Sequence, residues 1–125
     1  MTGATSRVSV VIPARNAAPW IAETVRSVLA QEIPDSGLEI LVVDDGSTDG
    51  TAEVAMAAAE GAGRRIQVLA GEGRGPSAAR NVGWGAAAAD WIQFLDSDDL
   101  LSRGKLAHQL GAAGAAGEDL SLIHI

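Results

Sequence analysis

Four short apolar runs, separated by stretches of helical periodicity, constrain this chain more than any other feature. Arg7 to Ile12 reads Arg-Val-Ser-Val-Val-Ile, apolar on both faces and ended by Pro13. Leu38 to Val43 and Trp91 to Leu95 are of the same kind, and Arg65 to Leu69 is a weaker version. Runs this short and apolar suit buried strands better than helices. Between them, Trp20, Ile21, Thr24, Val25, Val28 and Leu29 recur at helical spacing up to Gln31, with Glu23 and Arg26 on the other face. Asn16 to Pro19 supplies the start signals for that helix. A second helix is expected over Thr51 to Glu60, stopped by Gly61 and Gly63. A third runs from a capping Ser77 to about Ala89, and a fourth from Ser102 to Ala113. Gly83 and Gly85 inside the third helix cost about 1 kcal/mol each against alanine, so they are expected to mark close packing on a neighbour.

Regular strand-helix alternation implies βαβ units, hence an α/β domain with a mainly parallel sheet covered by helices on both faces. At 125 residues the chain holds one domain or less, large enough to bury about two thirds of its surface. A net charge of −7 and the lack of any Lys/Arg run argue against nucleic acid or an anionic membrane as the main partner. There is no cysteine, which removes disulfides and thiolate metal sites. No window carries the roughly 18 apolar residues of a membrane span, and residues 1–6 are short and polar. The expectation is a soluble, cytoplasmic protein, whose longer parent could sit peripherally at the inner face of the membrane.

Six acids fall in two loops, Asp44, Asp45 and Asp49 in one and Asp96, Asp98 and Asp99 in the other. In a parallel sheet both loops emerge at the carboxyl edge, where open α/β sheets bind ligands. Asp96 and Asp98, flanking the small Ser97, can turn toward one hard cation that also holds substrate phosphates. A carboxylate and a phosphate oxygen about 4 Å apart repel by roughly 4 kcal/mol near a protein surface, so an acidic diphosphate site needs a metal between them. The competing reading is that Asp-Ser-Asp-Asp caps the helix that follows.

Other loops on that edge have jobs available in binding a nucleoside diphosphate. Asp45 can accept from a base N–H or a ribose hydroxyl. Arg74 or Arg80 can offer a planar donor fork to phosphate. Gly71, Gly73 and Gly75 permit close approach of backbone to phosphate. Each feature also has an ordinary reading, since Asp-Gly-Ser-Thr-Asp-Gly is common turn chemistry and Arg80 could pair with a nearby acid.

Taken together, Val8 to Asn16, Ile40 to Thr51, Gly75 to Gly83 and Phe94 to Asp99 resemble, in order and spacing, the amino-terminal half of the family 2 glycosyltransferases. The resemblance covers about residues 7 to 110. It implies the Rossmann-like GT-A fold, here cut short, and a nucleoside-diphosphate-sugar donor (UDP-, GDP- or dTDP-linked). It also implies Mn²⁺ or Mg²⁺ at the Asp96-Ser97-Asp98 motif, and a place in cell-wall or polysaccharide biosynthesis. Carried over by position, Pro13, Ala14, Arg15, Asn16 and Asp45 contact base and ribose, while Asp44 braces its loop. Arg80 helps with the diphosphate or with the metal loop. Asp98 is the direct metal ligand, Asp96 reaches ribose, sugar or metal, Ser97 lies between them, and Asp99 stands behind. Many members have Tyr where Arg15 stands, which leaves the base open.

In inverting members a carboxylate in the second half of the domain deprotonates the acceptor, and no stretch here matches that motif. Glu118 and Asp119 follow the metal loop too closely, and His108 and His124 read as surface or packing residues. The expected base therefore lies downstream of this chain. A nucleotide-binding module without transfer activity is the alternative, and a nucleotidyltransferase ranks behind it, because Pro13 to Asn16 lacks a glycine-rich basic loop. The domain is expected over 7–113, after a disordered 1–6. Residues 114–125 are read as a Gly/Ala tail ending in Leu-Ser-Leu-Ile-His-Ile, which resembles a translated sequencing adapter and otherwise permits a fifth strand.

Overall fold

The computed structural model describes residues 7–34, 37–64, 66–108 and the backbone of 122–124. The chain runs β1 (Val8–Ala14), α1 (Ala18–Leu29), β2 (Leu38–Asp44), α2 (Thr51–Ala58), β3 (Ile66–Ala70), α3 (Pro76–Ala86), β4 (Trp91–Phe94) and β5 (Leu122–His124). The sheet order is β3-β2-β1-β4-β5, with the first four strands parallel and β5 antiparallel to β4. The alternation expected from the sequence is therefore present. Of the fourth helix, only a turn at residues 105–108 falls within the described residues. The fifth strand is the alternative that the apolar hexapeptide allowed.

Strands apolar on both faces feed two separate cores. Val8, Val10, Ile12 and Ala14 of β1 point with Leu38, Ile40 and Val42 of β2 toward α1 and α2. Val11, Leu41 and Val43 point the other way, toward Ala79 of α3. Each Val, Leu or Ile among them, fully buried, contributes about 1.5–3 kcal/mol. On the α3 face a Cβ at Gly83 would stand 2.3 Å from Val11 Cγ1, so glycine there lets the helix lie against β1. Gly85 has open space at its Cβ, and its expected packing role is not realised.

Two boundaries depart from the sequence reading for local reasons. Pro13 does not end β1 but lies inside it, opposite Val43 of β2. Val11 O accepts from Leu95 on the β4 side and Ala14 O accepts from Asp45 on the β2 side. Alternation along the strand thus turns the Pro13 nitrogen toward β4, and its missing N–H ends that ladder just past the last β1–β4 pair, Val11 and Phe94. Helix α3 starts at Pro76 with Gly75 as its N-cap, so Ser77 sits within the first turn instead of capping it. Proline's preset φ and missing N–H suit that place.

Candidate functional site

The chain order moves outward from β1 through β2 to β3 and then returns to β4 beside β1. The strand order reverses between β1 and β4, and outside the carboxyl ends at such a switch point is where these sheets form a crevice. A cleft of about 400 Å³ lies there, lined by Pro13, Ala14, Arg15, Asp45, the Asp96-Ser97-Asp98 turn, Trp20, Pro76 and Ala79. Of the residues expected to bind donor, these seven from β1, β2 and β4 come together. Asn16, Asp44, Arg74 and Arg80 do not line the cleft. Arg80, on α3, borders a neighbouring depression with Asp96, Asp99 and Lys105. Arg74 is exposed and 3.6 Å from Glu72.

The acids of the first loop are committed to the fold. Asp44 Oδ1 accepts the Ser47 N–H at 3.0 Å, the bracing role expected of it. Asp45 is buried, and its two oxygens accept the N–H groups of Gly73 and Gly75 at 2.7 and 3.0 Å. Those glycine amides, expected to face phosphate, are thus turned to a carboxylate. A Cβ at Gly71 would stand 2.6 Å from Asp45 Oδ1, so that glycine makes room for the acid rather than for a ligand. Asp49 Oδ2 accepts the Ala18 N–H at the start of α1, and its Oδ1 accepts the Thr51 hydroxyl and N–H. The Thr51 hydroxyl, with these backbone amides, holds the Asp49 carboxyl below its usual value against a smaller opposing effect of desolvation.

Asn16 also works between loops. Its backbone has φ +49°, a left-handed conformation that asparagine tolerates. Its Oδ1 accepts the Thr48 N–H at 2.8 Å, and its own N–H donates to Ser47 Oγ at 2.9 Å. The Ala17 N–H donates to the buried Thr51 hydroxyl at 2.9 Å. The loops after β1 and β2 therefore form one rigid wall of the cleft.

The second acidic loop is different. The Asp99 N–H donates to Asp96 O at 3.0 Å and closes a tight turn. Asp96 and Asp98 are exposed, and among the described residues neither carboxylate has a hydrogen-bond or ion-pair partner. No group of three or more His, Cys, Asp and Glu among the described residues is placed to enclose a metal. One or two free carboxylates on a turn fit a hard cation that takes its remaining oxygens from phosphate and water. They do not fit a cation held by protein alone.

Its helical spacing places Trp20 in the apolar stripe of α1. The structure leaves it 53% exposed on the wall of the cleft. Its neighbour Ile21 takes the core position, and the only available signal was that Trp20 lies at the stripe's amino-terminal edge, next to the β1 loop. His108 is exposed, in accord with a surface role. No helix among the described residues is long and apolar enough to cross a membrane.

The chain resembles known proteins in both sequence and structure. The succinoglycan biosynthesis protein ExoU of Rhizobium meliloti (strain 1021) is 44% identical over 107 residues, 86% of this chain and 30% of that protein. The chain spans less than a third of the lengths of the first curated relatives it matches. S. aureus TarS 1–349 in complex with UDP superposes with a TM-score of 0.79 at 26% identity, over 91% of this chain and 38% of that one. The mannosyltransferase PcManGT from Pyrobaculum calidifontis, in complex with GDP-Man and Mn²⁺, gives 0.78 at 32% identity, over 83% and 31%. These are glycosyltransferases of the GT-A fold, whose parallel sheet with alternating helices this chain shares. Residues 9–125 match the sequence profile of glycosyl transferase family 2, and the chain belongs to that family.

Proposed function

We propose that the cleft binds a nucleoside-diphosphate sugar together with Mn²⁺ or Mg²⁺, and that the chain is the donor-binding half of a metal-dependent, inverting glycosyltransferase. The observation that carries this is the division among the carboxylates. Asp44, Asp45 and Asp49 are taken up by backbone, whereas Asp96 and Asp98 project free beside the same cleft. The neighbours with UDP and with GDP-Man and Mn²⁺ support it.

Asp98 would hold the cation with Asp96 beside it, and the cation would offset the charge that develops on the leaving diphosphate. Pro13, Ala14 and Arg15 would border the base and ribose, with the Arg15 guanidinium able to stack on the base. Asp45, whose oxygens each retain an acceptor site, shapes the wall through Gly73 and Gly75 and can still receive a ribose hydroxyl. Trp20 and Pro76 supply apolar surface to the same cleft. Asp45, Asp96 and Asp98 are the only carboxylates among the cleft's described lining. All three have other tasks, so the base that deprotonates the acceptor comes from outside this set. A relative named for succinoglycan biosynthesis favours a growing polysaccharide as that acceptor.

The test is calorimetric titration of the purified chain with UDP, GDP and dTDP, each with and without Mn²⁺, repeated on Asp98→Ala. Metal-dependent binding of one nucleotide, lost in the variant, is expected. Folded protein that binds none of the three, or binds equally without metal, overturns the proposal.

A further inference from the structure

The acidic turn is held from α1. Thr24 is fully buried, and its hydroxyl donates to Ser97 O at 2.8 Å, with a longer 3.4 Å approach to Trp20 O in its own helix. One turn on, Ser27 Oγ donates to Thr24 O at 2.7 Å and accepts the Leu101 N–H at 3.1 Å. Next along the same face, the buried Gln31 donates through Nε2 to Ser102 O at 2.7 Å and accepts the Leu106 N–H on Oε1 at 3.0 Å. Three polar side chains at i, i+3 and i+7 thus bond the backbone of residues 97–106, while Leu95, Leu101 and Leu106 pack into the α1 core around them.

The first of these bonds differs from the others in what it grips. Ser97 O belongs to the peptide that leads into Asp98, at the centre of a turn whose only other internal tie is the Asp99 N–H to Asp96 O bond. A free turn residue can rotate its peptide plane. With the carbonyl pinned from a buried helix position, that plane is set, and with it the direction from which the Asp98 side chain departs.

We propose that Thr24 is a positioning residue for the cation: its buried hydroxyl orients the Ser97–Asp98 peptide so that the Asp96 and Asp98 carboxylates stand ready toward one ion. The inference rests on the donor-and-metal reading above. The bland alternative is a buried hydroxyl that has merely found an acceptor, as buried hydroxyls must. The two differ in outcome, because a satisfied hydroxyl affects folding alone, whereas a positioning one affects the metal separately from the fold.

The experiment measures Mn²⁺ affinity by electron paramagnetic resonance. It is done in the presence of whichever of UDP, GDP and dTDP gives the largest metal-dependent heat with the unaltered chain, alongside nucleotide affinity without metal and the unfolding temperature. Thr24→Val is expected to weaken Mn²⁺ binding about tenfold, the factor that one hydrogen bond of ordinary worth produces, with metal-free nucleotide binding unchanged. Thr24→Ser, which keeps the donor, is expected to restore the Mn²⁺ constant. Ser9→Ala is the control, since it removes another buried hydroxyl, bonded to Glu39 near the opposite end of β1. It should lower the unfolding temperature and leave the metal constant alone. If Thr24→Val does not fold, Thr24→Cys fills the site with a weak donor and should show the same loss. A Mn²⁺ constant unchanged in the hydroxyl-less variant, or one that falls equally in Ser9→Ala, overturns the inference and leaves the donor site standing. An unaltered chain with no metal-dependent binding overturns both.

Discussion

Oδ1 of Asp45, at the carboxyl end of β2, accepts the backbone N–H of Gly73 at 2.7 Å, across 28 positions of sequence. With Oδ2 on the Gly75 N–H, the carboxylate serves as a clamp on the loop that leads into α3. Asp45→Asn would turn an amide NH₂ toward one of two backbone donors, leaving a buried pair of donors face to face. The expected cost is about 1–3 kcal/mol in urea unfolding. Nucleotide affinity should fall as well, because Gly75 and Pro76 form part of the cleft wall. Unchanged unfolding would contradict the clamp.

Two glycines two residues apart in α3, and so on different sides of it, should respond oppositely to alanine. At Gly83 the new methyl would meet Val11 Cγ1 at 2.3 Å, and overpacking of this kind costs about 1–3 kcal/mol. Shortening Val11 to Ala in the same chain should recover part of that loss, so the double variant is less destabilised than the sum of the singles. Gly85→Ala meets nothing within 4 Å and should stabilise by up to about 1 kcal/mol through helix propensity. Thermal unfolding of the four variants decides both.

Trp20 is exposed at the cleft, so its replacement should affect binding more than folding. Trp20→Ala is expected to leave stability within about 0.5 kcal/mol, as for a surface site. It should weaken nucleotide-sugar binding several-fold. Titrating the unaltered chain with nucleotide and Mn²⁺ should change tryptophan fluorescence, and Trp20→Phe should abolish most of that change. A full signal in Trp20→Phe would assign it to Trp84 or Trp91 instead.

Asp49 gives a pH-dependent element. Its folded pKa lies below that of an unfolded aspartate, which is about 3.9. Its contribution to stability is therefore fully present above pH about 4 and is lost as pH falls through the folded value. Thr51→Val removes the largest cause, and NMR titration should show the Asp49 midpoint move upward in that variant. An unmoved midpoint would mean that the Ala18 and Thr51 amides suffice alone.

By itself the sequence determined the architecture and which loops share the sheet edge that carries the candidate site. Short apolar runs and helical periodicity are local properties, and strands apolar on both faces, such as Val8–Ala14, require helices on both sides of a sheet. Once the strands are parallel, both acidic loops fall at one edge by geometry alone. The tertiary structure decided which acids are available. Asp45 and Asp98 look alike in sequence, each an aspartate in a polar loop after a strand. One is taken by Gly73 and Gly75, and the other is left free on a turn pinned by Thr24, 73 positions from Ser97. The same holds for Trp20, whose place in the helical stripe could not show that α1 meets the cleft at its first turn. A hydrogen-bond partner brought close only by folding leaves no periodic trace in the chain, so carboxylates that build the fold and carboxylates that face a ligand are told apart only in three dimensions.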